Sequence, residues 1–134
     1  MIEIIVVLII VGVLAAVALP NLFSNIYRSR AGESLITIST FRPTMEACIY
    51  KAAGSKENTT CDAGSLGNPT ATPNFTYAVD GPKSAKDTGY SIIASGQGAL
   101  TPADQITVTR AASDWPVIST SITCQGSGAL LGVY

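Results

Sequence analysis

The sequence contains no histidine. That removes imidazole acid–base catalysis, the Ser-His-Asp and Cys-His nucleophile systems, and most zinc sites. Charge is also scarce. Asp, Glu, Lys and Arg together make up 13% of 134 residues, and the net charge is −1. Such a balance argues against a dedicated nucleic-acid binder, which needs a basic stripe. Lys83 and Lys86 form only a small basic patch. Cysteine is limited to Cys48, Cys61 and Cys124, with no CxxC pair, so redox and metal motifs are missing. No charged side chain occurs between Glu3 and Arg28.

That last gap is filled by the most informative stretch, MIEIIVVLIIVGVLAAVALP, residues 1–20. No polar side chain interrupts it from Ile4 to Leu19. As a helix it would reach about 25 to 35 Å, roughly one hydrocarbon core. A helix apolar on all faces belongs in a membrane or inside an assembly. A secretory signal peptide fits poorly, because a basic n-region is lacking and the apolar run is long. Gly12, Ala15 and Ala16 have helical spacing and would let another helix approach closely; filling a lipid-facing surface is the plainer reading. Pro20 cannot donate to Ala16, and Gly12 weakens the helix further back, so a kink or local unwinding is expected between them.

Beyond Pro20, residues 21–53 read as an amphipathic helix. Phe23, Tyr27, Ala31, Leu35, Ile38, Phe41, Met45, Cys48 or Ile49, and Ala52 step by threes and fours. Arg28, Arg30, Glu33, Arg42, Glu46 and Lys51 interleave as the wet face. Pro43 predicts a second kink, and Gly54 a stop. Residues 54–74 are dense in Gly, Pro, Asn, Ser and Thr and read as a long loop. Asn58-Thr59-Thr60 and Asn74-Phe75-Thr76 match the acceptor pattern for Asn-linked sugar, and the Ser/Thr cluster offers O-linked sites.

Four strands are expected, at 75–79, 90–94, 105–110 and 117–124. In the third, Ile106, Val108 and Arg110 alternate with Thr107 and Thr109; in the fourth, Ile118, Thr120, Ile122 and Cys124 oppose Ser119, Ser121 and Thr123. Turn residues separate the runs, so the strands form an antiparallel meander over residues 75–124. One sheet face should carry the amphipathic helix. The expected fold is therefore α+β in two layers, with the apolar half of a long kinked helix protruding. The division is an apolar helix over 1–20 and a globular domain over 21–134, ending in an uncharged tail at 125–134. In an oxidising compartment two of the three cysteines would bond, and three pairings are open. The pair closest in sequence, Cys48 and Cys61, would contribute ~3 kcal/mol on the chain-entropy model.

Glu3, Gly12 nine residues later, and the run Ala15-Ala16-Val17-Ala18-Leu19-Pro20 together resemble the N-terminal region of bacterial type IV pilins and their pseudopilin relatives. Over the rest of the chain only the layout is similar. Residues 48–68, with Cys61 followed by Asp62-Ala63-Gly64-Ser65, resemble one pilin subgroup, for which Cys48–Cys61 is the expected bridge. The resemblance implies a non-enzymatic structural subunit, without a catalytic, cofactor or metal site. It would be anchored in the inner membrane, extracted by the assembly machinery, and polymerised into an extracellular pilus for adhesion or motility. Glu3 would pair with a neighbour's α-amino group, and the stretch from Gly12 to Pro20 would lose regular helix in the filament. The family's mature chain begins two residues earlier, with an N-methylated Phe that places the acid fifth; the present sequence starts at Met1. Three other functions were weighed. A type II secretion pseudopilin often carries calcium, for which Asp104 and Asp114 are isolated. A DNA-binding minor pilin would rest on Lys83 and Lys86. A tethered enzyme would need a pair such as Asp80 and Asp87.

Overall fold

A computed structural model describes residues 1–54, 60–82, 89–111 and 120–126, with backbone alone at 20, 21, 23, 24, 53 and 54. The fold is α+β: a single long helix and a four-stranded antiparallel sheet. Helix α1 runs from Ile2 to Gly54. The backbone stays helical through Gly12, Pro20 and Pro43, so no break in the helix divides α1 at these positions. A proline removes one donor from the ladder, and the remaining bonds of the turn carry the helix onward.

The second half of α1 is one layer of the domain. Ala31, Ser34, Ile38, Met45, Ile49 and Ala52 are buried, and Tyr27, Leu35, Phe41 and Cys48 pack partly against them. This is the stripe its 3.6-residue period calls for. Ser34 is the polar member, and its hydroxyl donates to the Ala31 carbonyl at 2.8 Å.

The other layer is the sheet, β1 (Phe75–Asp80), β2 (Tyr90–Gly96), β3 (Gln105–Arg110) and β4 (Ser121–Gln125), in the spatial order β1-β2-β3-β4. Each strand pairs antiparallel with the next. Tyr77 faces Ala94, Ile92 faces Val108, and Ile106 faces Cys124. The inward row is Phe75, Tyr77, Val79, Tyr90, Ile92, Ala94, Ile106, Val108 and Arg110, all buried. The third strand has its expected bounds. The second extends to Gly96, because Ser95 and Gly96 continue the ladder opposite Thr76 and Phe75. Strand β4 starts at Ser121, and the earlier part of its expected span, 117–119, lies outside the described residues. The expected loop holds a one-turn helix α2 (Ala63–Leu66). Of the tail, residues 127–134 lie outside the description.

Candidate functional site

Among the described residues, nothing covers the arm of α1 over Ile2–Leu19. None of the residues in Ile2–Leu19 is buried. At ~1.5 Å per residue, eighteen residues give an arm of about 27 Å. By length and composition this segment could cross a membrane. Glu3 stands exposed in the first turn, where the free N–H groups and the helix dipole favour an acid. At Gly12 an added Cβ would meet nothing within 4 Å. Nothing among the described residues therefore requires glycine there, although glycine weakens a helix by about 1 kcal/mol relative to alanine.

The arm is carried on a base fixed by polar contacts between α1 and the sheet. Near the arm, Arg30 lies over the Tyr27 ring, 5.8 Å from its centroid. Glu33 accepts a hydrogen bond from Asn74 Nδ2 at 2.7 Å. The Thr72 hydroxyl and the Asn74 amide hold the Glu33 carboxyl below its ordinary pKa. Asn74 in turn accepts from Gln97 N through its carbonyl at 2.9 Å, and Gln97 Nε2 donates to the Thr72 carbonyl. One helical acid thus fixes the entrance to β1 and the turn after β2.

About three and a half turns further along, Glu46 serves two groups at once. Arg110 Nη1 donates to its Oε2 at 2.7 Å, and the Tyr90 hydroxyl donates to its Oε1 at 2.9 Å. The Arg110 side chain is fully buried and that of Glu46 is 20% exposed. Burial pushes the Tyr90 hydroxyl above its ordinary pKa, with Arg42 and Glu46 as its polar neighbours. Glu46 was expected on the wet face. It lies instead against the sheet, because the guanidinium on the inward row of β3 needs a carboxylate.

The end of α1 is bound covalently. Cys48 and Cys61 form a disulfide across thirteen residues, with Cα atoms 6.0 Å apart. Cys124 is a free, partly buried thiol on β4. Immediately after the bridge, Asp62 caps α2: its Oδ1 accepts from Ser65 N at 3.0 Å, and Ser65 Oγ accepts from Asp62 N at 3.1 Å. These bonds hold the Asp62 carboxyl below its ordinary pKa. The segment then returns along β1, where Asn68 Oδ1 accepts from Val79 N at 3.1 Å. Cys61 N donates to the Pro82 carbonyl at 3.3 Å. A loop that sequence reading leaves unstructured is therefore a strap tied at several points.

The remaining expected sites divide by location. Asn74 of the second sugar pattern spends its amide nitrogen, the atom that would carry the sugar, on Glu33. Asn58 and Thr59 of the first pattern, Lys83, Lys86, Asp87 and Asp114 lie outside the described residues. Asp104 is buried, and its Oδ2 accepts from Thr101 N and Thr101 Oγ1 at 2.9 and 2.8 Å. Among the described residues, no three His, Cys, Asp or Glu side chains group closely enough to hold a metal ion. The Glu46–Arg110–Tyr90 cluster was missed by sequence reading. Its available signal was Arg110 in register with Ile106 and Val108. No protein-family model matches the chain, and no curated protein matches it.

Proposed function

We propose that this chain is a structural subunit of a type IV pilus, polymerising through its apolar arm into a helical filament. One observation carries the reading. A single continuous helix is the covered core layer of a domain over its second half and bare over Ile2–Leu19. Removing each large apolar side chain of the arm from water contributes on the order of 1 kcal/mol or more. The arm therefore needs an apolar environment: lipid before assembly, and the arms of neighbouring subunits afterwards. The two environments are nearly equivalent in hydrophobic terms, so packing and electrostatics set the register.

Gly12 supports close helix packing, since among the described residues nothing approaches the place of its missing side chain. Glu3 supplies the electrostatic part. A carboxylate in hydrocarbon costs about 2.5 kcal/mol or more without a partner. A neighbour's α-amino group is the cation within reach, because the next positive side chain along the helix is Arg28. The stretch from Gly12 to Pro20, helical in the single chain, loses regular helix as the subunits are drawn together. The Cys48–Cys61 bridge fits a domain on the outer side of the inner membrane, where disulfides persist.

The test is to shear cell surfaces, pellet the material and determine the filament structure. Thin filaments of this chain with bundled N-terminal helices are expected. Glu3→Ala should leave the protein membrane-inserted and folded while filament yield collapses. Wild-type yield from Glu3→Ala would sink the pairing, and sheared fractions without this chain would sink the pilus reading.

A further inference from the structure

A groove of about 460 Å³ lies between the middle of α1 and the strap that follows α2. Thr37, Thr40 and Phe41 form its helical side, and Asn68, Pro69 and Thr70 stand opposite. Among the described residues, no lining side chain carries a charge, so none of them attracts a phosphate, a sialic acid or a metal ion. The polar groups have assigned directions. Thr37 Oγ1 donates to the Glu33 carbonyl at 3.1 Å, and Thr40 Oγ1 donates to the Thr37 carbonyl at 2.8 Å. Their hydroxyl protons are used on the helix backbone, which leaves oxygen lone pairs as acceptors. Asn68 is set the other way. Its Oδ1 is taken by Val79 N–H, so its NH2 supplies the donors. Phe41 adds the one aromatic surface, half-buried and therefore held in place.

We propose that this groove binds an uncharged saccharide unit. A pyranose presents an apolar C–H face and a rim of hydroxyls that both donate and accept. The Phe41 ring would take the C–H face, the threonine oxygens would accept from sugar hydroxyls, and the Asn68 amide would donate to them. An apolar ligand would strand these polar groups, and an anion would find no cation among the described lining residues. The groove belongs to the domain, so this site stands whether or not the arm assembles.

The test is a titration of the full chain in detergent micelles, followed by amide NMR. The probes are the methyl glycosides of glucose, galactose and N-acetylglucosamine, with sialic acid as the charged control. Saturable shifts confined to residues 37–41 and 68–72 are expected from at least one neutral sugar. Asn68→Asp keeps an oxygen for Val79 N–H but removes the NH2 donors. It should weaken binding about tenfold, the loss of one well-placed hydrogen bond, with the melting temperature unchanged. Phe41→Leu keeps the apolar volume and should weaken binding similarly. Tighter binding to beads carrying neutral oligosaccharide than to free glycoside would assign a glycoconjugate; equal binding would assign a free sugar. Three results each overturn the site: no saturable shift in these residues with any neutral sugar, wild-type affinity in both variants, or preference for sialic acid.

Discussion

Gly81, just past β1, leaves the least room for a Cβ among the described glycines, and replacing it with alanine tests how the strap is held against β1. A Cβ at Gly81 would sit 1.6 Å from the Cys61 carbonyl oxygen, 2.7 Å from the Cys61 carbonyl carbon and 3.3 Å from Asp62 Cα. All three are backbone atoms, so no side-chain rotation relieves the clash. Restoring ordinary contact requires the two segments to part by roughly 1.5 Å or more. Cys61 cannot retreat freely. Its nitrogen donates to Pro82, its sulfur is bonded to Cys48, and the next residue caps α2. Overpacking of this kind costs about 1 to 3 kcal/mol, and a weakened Cys61–Pro82 hydrogen bond adds ~1 kcal/mol. With a total near 3 kcal/mol, the melting temperature should fall by roughly 10 to 20 °C in a domain of this size. Thermal unfolding of the full chain, followed by circular dichroism in micelles, reads this directly. Repeating the melt with Cys48 and Cys61 both changed to serine should shrink the Gly81→Ala penalty, because Cys61 is then freer to move. Gly12→Ala, with open space around its Cβ, serves as the silent control. A Gly81→Ala melt within about 2 °C of wild type would refute the packing of the strap against β1.

Two further outcomes follow from the polar contacts beneath α1. Glu46→Leu leaves the Arg110 guanidinium buried without this carboxylate and should destabilise the domain by about 3 kcal/mol; adding Arg110→Met should recover most of that, and a denaturant-based double-mutant cycle measures the coupling. Glu33 titrates below its ordinary value of 4.5, so its bonded state adds stability above that pH, and the gain disappears as pH falls through the lowered folded value. Glu33→Gln should therefore flatten the acid limb of the stability curve below pH 4.5, and an unchanged limb would contradict the Asn74–Glu33 contact.

The helix stripe and the sheet were legible because both are written as local periods. Positions 31, 38, 45, 49 and 52 repeat at helical spacing, and 106, 108 and 110 repeat at two. The elements that escaped sequence reading lack a local period. Helix α2 has four residues, too few for a hydrophobic stripe; its signature was Asp62 three residues before Ser65. Glu46 looked like a surface acid because its partner Arg110 lies 64 positions away, and no spacing along α1 encodes a contact to β3. The informative residue was Arg110. A long cation in the inward row of a strand cannot stay buried without a carboxylate, so the row itself demanded an acid on the facing helix. Ser34 escaped for the opposite reason, since its hydroxyl is satisfied within one turn and it then packs as a small core residue. Each proline removes only one bond from a helix supported by many others, so α1 continues through Pro20 and Pro43. The role proposed for Glu3 is a contact between chains, which neither one sequence nor one chain contains.

On the proposed function, helix α1 draws its order from two independent sources, and this separates folding from assembly. Over residues 31–52 the helix is held by burial against the sheet, by Glu33 and Glu46, and by a disulfide at its end. Over Ile2–Leu19 none of these exists, and the residues are largely Ile and Val, β-branched side chains of only moderate helix propensity in water. In an apolar medium the balance reverses. Every unmade backbone hydrogen bond becomes expensive there, and the helix satisfies them internally. On that reading the arm is stabilised by its surroundings and the domain by its own core. Substitutions at Glu46, Gly81 or Cys48 should move the melting temperature of the subunit. Glu3→Ala should leave that temperature unchanged and act only where arms meet. If Glu3→Ala lowered the domain's melting temperature as Glu46→Leu does, the arm and the domain would be one cooperative unit, and the separation argued from the bare half of α1 would fail.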